Sequence, residues 1–548
     1  MHAEGATGSR EATTTDDEAP ESAPAAPAPR GTRLDAWWAR VLGTPARRRF
    51  WYWAGPIAVT LLAGILRFWN LGHPHTLVFD ETYYVKDAWT LIGNGYESRW
   101  PEDADAGFAA GDTDTYLDEP SYVVHPPLGK WMIGLGMAAF GAGDPFWWRA
   151  TTALAGTIAV LLVSLIARRL FGSTIVAVIA GLLFAIDGNA IVMSRVALLD
   201  TWVMFFALLG FGCVLLDREW HATRLAARLA ERRARGVDPA WGPVLWWRPW
   251  LLAAGIAFGA TTAVKWSGLY FLAAFGIYLV VVDALARRRA GLPFWITSAI
   301  LRQGPATFLL VVPIAAVVYL ASWTGWLVTD GGYYRDWATT TSADQLAGIE
   351  WLPAPLQSLW HYHQEAYKYH VGLSTPHPWQ SHPLGWLVME RPTNMYYVSL
   401  ENGDGGCTVD ACVQTINGIG NPLIWWGAAA AVLYLLYRLV RWREWQVGLV
   451  LVGLAAGYLP WLLYPDRTMF TFYTIAFQPY TMLALAGVLG IILGRRDDLE
   501  WRRARGIGVV GVYLAFAVLL SAFFYPLWTG TTIPFTFWQL HIWLPGWR

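Results

Sequence analysis

The stretch VFDETYYVKDAW (78–89) sets two adjacent carboxylates, Asp80 and Glu81, just past the first apolar segment of the chain. An ionised side chain at a bilayer edge is costly, so one that is retained there is paired or performs chemistry. The chain around it is that of an integral membrane protein: 55% of its 548 residues are hydrophobic and only 15% charged, with 35 tryptophans. Soluble domains carry about a quarter charged residues, and tryptophan concentrates at membrane interfaces. Net charge is zero, and the basic clusters lie between apolar segments without base-stacking modules, which argues against nucleic-acid binding. Residues 1–33 are rich in Ala, Pro, Thr, Asp and Glu and lack an apolar run, so they are no signal peptide. The expected organisation is a disordered cytoplasmic tail over 1–45 and a membrane-embedded domain over 46–548.

Apolar segments long enough to cross a bilayer fall near 53–69, 147–167, 173–187, 196–216, 250–264, 268–285, 305–322, 421–438, 446–463, 469–493 and 507–527, about eleven in all. The segments 173–187 and 250–264 are short and weakly apolar, and are expected to tilt or to sit behind other helices. Six basic clusters test the count: Arg47–Arg49, Arg168–Arg169, the Arg-rich loop 218–248, Arg287–Arg289, Arg438–Arg443 and Arg495–Arg505. Each follows every second segment, so one assignment puts all six on the cytoplasmic side, with the N-terminus inside and the C-terminus outside. HPPLGKWMIGLGMAAFG (125–141) must then be a re-entrant or interfacial helix, because counting it as a crossing would put Arg168 outside. Two large loops face outward. One, 70–146, carries Asp80 and Glu81. The other, 323–420, is rich in His, Trp, Tyr and Pro and is expected to fold as a cap.

Several side chains have both a functional and a structural reading. Asp80 is a candidate base, or the N-cap of a helix bearing Tyr84, Ala88, Leu91 and Ile92; the two roles are compatible. His125 and Lys130 are phosphate contacts or interfacial anchors. Arg149, Arg195, Lys265 and Arg467 sit at outer ends of segments, against the prevailing charge bias. They are ligands for a shared anion or snorkelling side chains. Asp200, just inside the fourth segment, is expected to pair with one of these bases. His377, His382 and Arg391, amid the aromatics of 376–399, suit a sugar or peptide cleft and equally an interfacial cap. Cys407 and Cys412 lie together in the outer loop, where a local disulfide is preferred to free thiols or zinc. Cys213 is an inert thiol within a segment.

These stretches occur in a fixed order: FDETYYVKDAW, HPPLGKW, FWWRATTALAG, SRVALLDTWVMFF, AVKWSGLY, HPWQSHPLGWLVMERP, CTVDAC with GNPLIWW, and YPDRTMFTFYTIAFQPY. As an ordered set they resemble the protein O-mannosyltransferase family in its actinobacterial branch, from about residue 50 to the end. The resemblance implies an all-α polytopic C-type glycosyltransferase fold. It implies mannose transfer from polyprenyl-phosphate-mannose to Ser or Thr hydroxyls of secreted proteins at the extracytoplasmic face. Asp80 and Glu81 match the family's acidic pair. The loop 323–420 is too short for the β-trefoil insert of eukaryotic members. A phosphate leaving group needs no general acid, so one carboxylate suffices, and direct attack inverts the anomeric centre. Asp80 is expected as base, Glu81 as its helper, and Arg149 as first phosphate contact, ahead of Lys265, Arg467, His125 and Lys130. No metal or other cofactor is required beyond the lipid-linked donor. Further expected partners are membrane lipids and the secretion machinery. The competing readings are a C-type transferase acting on a lipid or cell-wall glycan, and a transporter.

Overall fold

The computed structural model describes residues 31–237 and 240–548. Of the expected disordered tail, residues 1–30 lie outside the described residues. Residues Arg33–Val41, by contrast, form helix α1, because Thr32 and Asp35 cap it reciprocally. Helices α2 (Pro45–Phe68), α3 (Glu81–Asn94), α4 (Ala104–Ala110), α5 (Leu128–Phe140) and α6 (Pro145–Phe171) follow. The ends of α6 are legible in the sequence. Asp144 accepts from Phe146 N at 2.8 Å, Pro145 opens the first turn, Arg168 and Arg169 fill the last, and Gly172 closes it at φ 64°.

The third apolar segment is a broken one. Helix α7 (Thr174–Ile186) stops at Asp187, which caps α8 (Gly188–Arg195) at a 60° bend. The fourth segment accordingly starts at Asp200, not 196, so Arg195 ends α8 and does not open a span. Helix α9 (Asp200–Ala234) also runs through the region expected as an Arg-rich loop. Leu225 and Leu229 supply a buried face there, and Glu231 pairs with Arg228 and Arg235 at helical spacing.

Helices α10 (Pro249–Val264), α11 (Gly268–Arg289) and α12 (Trp295–Ser322) complete the first half. Residues 323–420, expected to fold as a cap, hold α13 (Ala354–Gly372) and strands β1 (Asn394–Glu401) and β2 (Ala411–Asn417). Then come α14 (Pro422–Trp442), α15 (Trp445–Leu463), α16 (Gln478–Leu493), α17 (Glu500–Thr529) and β3 (Ile533–Pro534). The segment expected at 469–493 is α-helical only over α16; Thr471–Ala476 forms a 3-10 turn. Among the described residues, 8 helices are long and apolar enough to cross a membrane, or up to 9 with the bent pair. Helices α5, α10 and α16 are apolar but shorter. Every segment anticipated from hydropathy therefore holds a helix.

The expected all-α chain also carries a small antiparallel sheet of order β1-β2-β3, with Tyr397 opposite Thr415 and Val413 opposite Ile533. β-Branched and aromatic residues in NMYYVSLE and ACVQTIN favour extended pairing, and a Gly-rich turn joins them. Cys407 and Cys412 are bonded across that turn. Helix α5 lies against α3 and α6. Gly136 permits this, because a Cβ there would meet the Trp147 carbonyl oxygen at 2.1 Å.

Maleimide labelling of the unreduced, denatured protein is expected to modify Cys213 alone, and labelling after reduction to modify all three cysteines. Three modified thiols before reduction would contradict the bridge.

Candidate active site

The first turn of α3 is fixed by one buried ion pair. Glu81 is 0% exposed, and four donors surround its carboxylate. Oε2 accepts from Val78 N at 2.9 Å and from Arg149 Nη2 at 2.8 Å. Oε1 accepts from Arg149 Nε at 2.9 Å and from Ala197 N at 2.8 Å. Arg149, equally buried, also donates to the carbonyls of Leu71 (3.3 Å), Pro74 (3.0 Å) and Thr76 (2.8 Å). A guanidinium has five N–H groups, and every one is engaged here. Arg149 thus has no donor left for a phosphate, contrary to its expected role as first phosphate contact. Glu81 has no oxygen turned to a ligand either. The pair ties α3 to α6, to the 71–76 segment and to the turn before α9.

Asp80 is different. It occupies the N-cap position of α3, yet its side chain makes no capping hydrogen bond. The purely structural reading of this residue therefore fails. Phe79 before it is held at φ 54°, a conformation that costs a bulky residue about 1–3 kcal/mol and persists only under outside restraint. The restraint is its ring, which packs edge-on against His377, Phe470 and Phe472 at 5.7–5.8 Å. Asp80 faces Lys265, Asp200 and Tyr84. Burial pushes its carboxyl up to about 6; Lys265 opposes that rise, Asp200 adds to it, and the Tyr84 hydroxyl opposes it.

Lys265, the C-cap residue of α10, donates to Asp200 Oδ2 at 2.6 Å. Asp200 was expected to pair with a base, and this is the base. The Lys265 ammonium lies 5.4 Å from the Tyr473 ring and 5.9 Å from those of Tyr84 and Phe472. An ammonium has three N–H groups, and Asp200 takes one.

His125 stacks on His370 at 5.1 Å and lies 6.2 Å from the Tyr84 ring. His370 meets the Val124 carbonyl through Nε2 at 2.9 Å. Burial, with Lys265 first among the neighbouring cations, holds His125 well below the usual imidazole range. Burial takes His370 down to about 4, so both rings are neutral near pH 7. Arg467 donates to the His370 carbonyl at 3.2 Å and to that of Thr468 at 3.2 Å. Its second terminal nitrogen has no partner among the described residues.

The remaining candidates are placed elsewhere. Lys130 is buried in an ion pair with Glu97 and lies 3.5 Å from the His125 carbonyl, so it is no headgroup anchor and sits behind His125. Arg195 caps the C-terminal end of α2 through the carbonyls of Arg67, Trp69 and Asn70. His377 reaches the site through Phe79. His382 caps a 3-10 turn and is exposed. Arg391, also exposed, grips the Pro378 carbonyl at 2.6 Å and holds the His377 turn from behind. Neither His382 nor Arg391 contacts the Asp80 cluster. Among the described residues, no group of three or more His, Cys, Asp or Glu is placed to hold a metal ion.

Tyr84, His370 and Tyr473 are site residues that the sequence did not single out as such. Tyr84 lies four residues after Asp80, one helical turn on the same face, which is a readable signal. His370 follows His363 by seven residues on α13, two turns along one face, where Trp266 packs on both rings. Tyr473 offered no pattern.

Comparison with known proteins agrees with this frame. The family model described as dolichyl-phosphate-mannose-protein mannosyltransferase matches residues 138–327. That for the C-terminal four TMM region of protein-O-mannosyltransferase matches 355–547. The chain is 38% identical to a polyprenol-phosphate-mannose–protein mannosyltransferase of Mycolicibacterium smegmatis, covering 90% of this chain and 93% of that one. It is 32% identical to the protein of that name from Corynebacterium glutamicum, covering 96% of each. The fold is similar to a solved chain of the Saccharomyces cerevisiae Pmt1–Pmt2 complex, with TM-score 0.67, 15% identity and 95% of each chain covered. It is also similar to the archaeal oligosaccharyltransferase AglB of Archaeoglobus fulgidus, with TM-score 0.51 and 15% identity over 88% of this chain and 56% of that one. The chain therefore belongs to the protein O-mannosyltransferase family and has its C-type glycosyltransferase fold.

Proposed function

We propose that the protein transfers mannose from polyprenyl-phosphate-mannose to Ser or Thr hydroxyls of secreted proteins, with Asp80 as the base. The mycobacterial and corynebacterial relatives carry that donor and a protein acceptor in their names. The observation that carries the reading is the contrast within the acidic pair. Glu81 is saturated by four donors, whereas Asp80 makes no capping bond and meets only the Tyr84 hydroxyl, beside a lysine held by a second carboxylate.

In the reaction, the acceptor hydroxyl oxygen forms a bond to the anomeric carbon while that carbon's bond to the phosphate oxygen breaks. The hydroxyl proton passes to Asp80, and the prenyl phosphate leaves as a monoester with the bonding electrons. A single displacement of this kind inverts the anomeric centre. Lys265 and the open nitrogen of Arg467 supply fixed positive charge for the leaving phosphate. His125 and His370, being neutral, offer hydrogen bonds without adding charge. Lys265 and Arg467 thereby replace Arg149 in the donor-binding role. Glu81 and Arg149 are positioning residues that hold the first turn of α3.

The six arginine clusters support an orientation with Asp80 extracytoplasmic. They gather at one end of the bundle, where Arg168 donates to the Tyr52 carbonyl, Arg169 pairs with Glu219, and Arg218 lies over Trp445. Asp80 follows the opposite end of α2.

Asp80→Asn should lower turnover about 100- to 10,000-fold, the range for loss of a positioned base, while thermal stability stays near wild type. Membranes supplied with radiolabelled polyprenyl-phosphate-mannose and a Ser/Thr-rich peptide measure it, and near-normal labelling would sink the assignment. Glu81→Gln behaves otherwise. It leaves Arg149 buried without its counter-charge, at about 3–5 kcal/mol, so melting temperature and activity should fall together.

The rate should climb with pH through about 6, where Asp80 loses its proton, and level off above. A profile flat from pH 5 to 8 would contradict a carboxylate base with a raised pKa. Arg467→Gln should raise the donor KM about tenfold or more, as expected for loss of a charge-assisted bond, with little change in acceptor KM. Equal change in both constants would argue against phosphate contact.

A further inference from the structure

At the end of the bundle away from Asp80, a groove of about 1300 Å³ opens between the N-terminal ends of α2, α7 and α17 and the C-terminal ends of α6 and α16. The groove is lined by α2 only as far as Gly55, so the remaining stretch to Phe68, at 1.5 Å per residue, separates it from the α3 end of that helix by about 20 Å. None of Asp80, Lys265, Asp200, His370 or Arg467 lines it.

The groove has two chemistries. Its depth is apolar, formed by Val176, Ile179, Ile491, Val510 and Leu514. Gly511 leaves open space on that wall, since a Cβ there would meet nothing within 4 Å. Its mouth is cationic. Arg438, Arg495, Arg502 and Arg503 each have a carboxylate partner: Glu444, Asp497, Asp498 and Asp35. Arg48 and Arg496 also line it, and neither has a carboxylate partner among the described residues. Arg48 uses its Nε on the Leu42 carbonyl at 2.8 Å, which turns the guanidinium without consuming its terminal nitrogens. The first turn of α7, Thr174 and Ile175, borders the same mouth and adds the positive end of a helix dipole. Trp38 and Trp51 meet edge to face at 5.2 Å along the rim, where interfacial aromatics belong. Helix α1 is fastened over this end by Asp35, which accepts from Arg503 Nη2 at 3.0 Å.

An apolar slot of this size below two uncompensated guanidinium groups is complementary to one class of molecule, an amphiphile with an anionic head and hydrocarbon chains. We propose that the groove is a binding site for an anionic phospholipid of the arginine-side leaflet, with Arg48 and Arg496 on its phosphate and its acyl chains against α7, α16 and α17. The lipid joins α1 and α2 to α16 and α17 at the end of the bundle away from Asp80.

The full chain, purified in detergent and mixed with dioleoyl phosphatidylglycerol or dioleoyl phosphatidylcholine, tests this by native mass spectrometry. One phosphatidylglycerol should be retained in preference to phosphatidylcholine. Two independent variants should each lower that retention about tenfold: R48Q/R496Q, which removes the head contacts, and G511L, which fills the slot on an open helix face. Thermal unfolding of each variant in the same detergent establishes that it is folded. Equal retention of both lipids overturns the proposal, as does unchanged retention in either folded variant. Preference for a polyprenyl phosphate over phosphatidylglycerol, lost in the same variants, overturns the assignment to phospholipid.

Discussion

The bidentate contact between Glu81 and Arg149 is the constraint on which the Asp80 end of this protein depends. Four chain segments otherwise unrelated in sequence meet there: the end of the 71–76 loop, the first turn of α3, the second turn of α6 and the α8–α9 connection. Two charges this deep repay their desolvation only when every remaining donor and acceptor is also engaged. Here they are, by backbone groups that have no partner in regular structure. The pair is therefore more than an attraction between charges; it gathers the carbonyls and amides that irregular loops leave over. Asp80 takes its position from this knot without belonging to it.

The same rule separates the cations. Arg67 donates to the carbonyls of Phe184 and Ala185 where α7 breaks, Arg195 collects those at the end of α2, and Arg149 those of the 71–76 loop. Each closes a helix end or loop in the interior, with three N–H groups used at Arg195, four at Arg67 and all five at Arg149. Lys265 and Arg467 are the basic side chains near Asp80 that keep open donors among the described residues. Position at an outer helix end did not distinguish the two groups. Their surroundings do: Arg149 and Arg195 are turned to backbone carbonyls of α2 and the following loop, whereas Lys265 is turned to the carboxylates of Asp80 and Asp200.

That difference explains what could be read from the sequence. Helix positions follow from length and hydropathy, which are properties of single segments, and every apolar segment was found. Two of the misplacements share a cause, a polar side chain rewriting a local boundary. Asp187 caps α8 and so ends α7 early, and the Glu231 pairs extend α9 past its expected end. The acidic pair was legible as a pair, but its division of labour was not. Adjacent residues at a helix start point in different directions, and only the fold reveals that one direction meets Arg149 and the other Lys265. Arg149 was misjudged because a sequence displays charge and hides partners. Tyr84 was within reach, since spacing of four places it on the face of Asp80.

The electrostatics of the proposed reaction follow from how few charges the site retains. Asp80 and Asp200 both face Lys265, so without substrate the cluster carries one more negative than positive charge, offset in part by Arg467 nearby. A phosphodiester adds one negative charge on binding and a second as it becomes a monoester. If His125 and His370 were also cationic, the monoester would be held tightly and product release would suffer. Their burial beside Lys265 and Arg467 keeps them neutral. The net charge of the cluster is therefore the same before and after the step, because the proton taken by Asp80 neutralises one carboxylate as the phosphate gains its second charge. Charge in the cluster is balanced best when bond breaking and proton transfer occur together, which is the condition for stabilising a transition state more than either ground state.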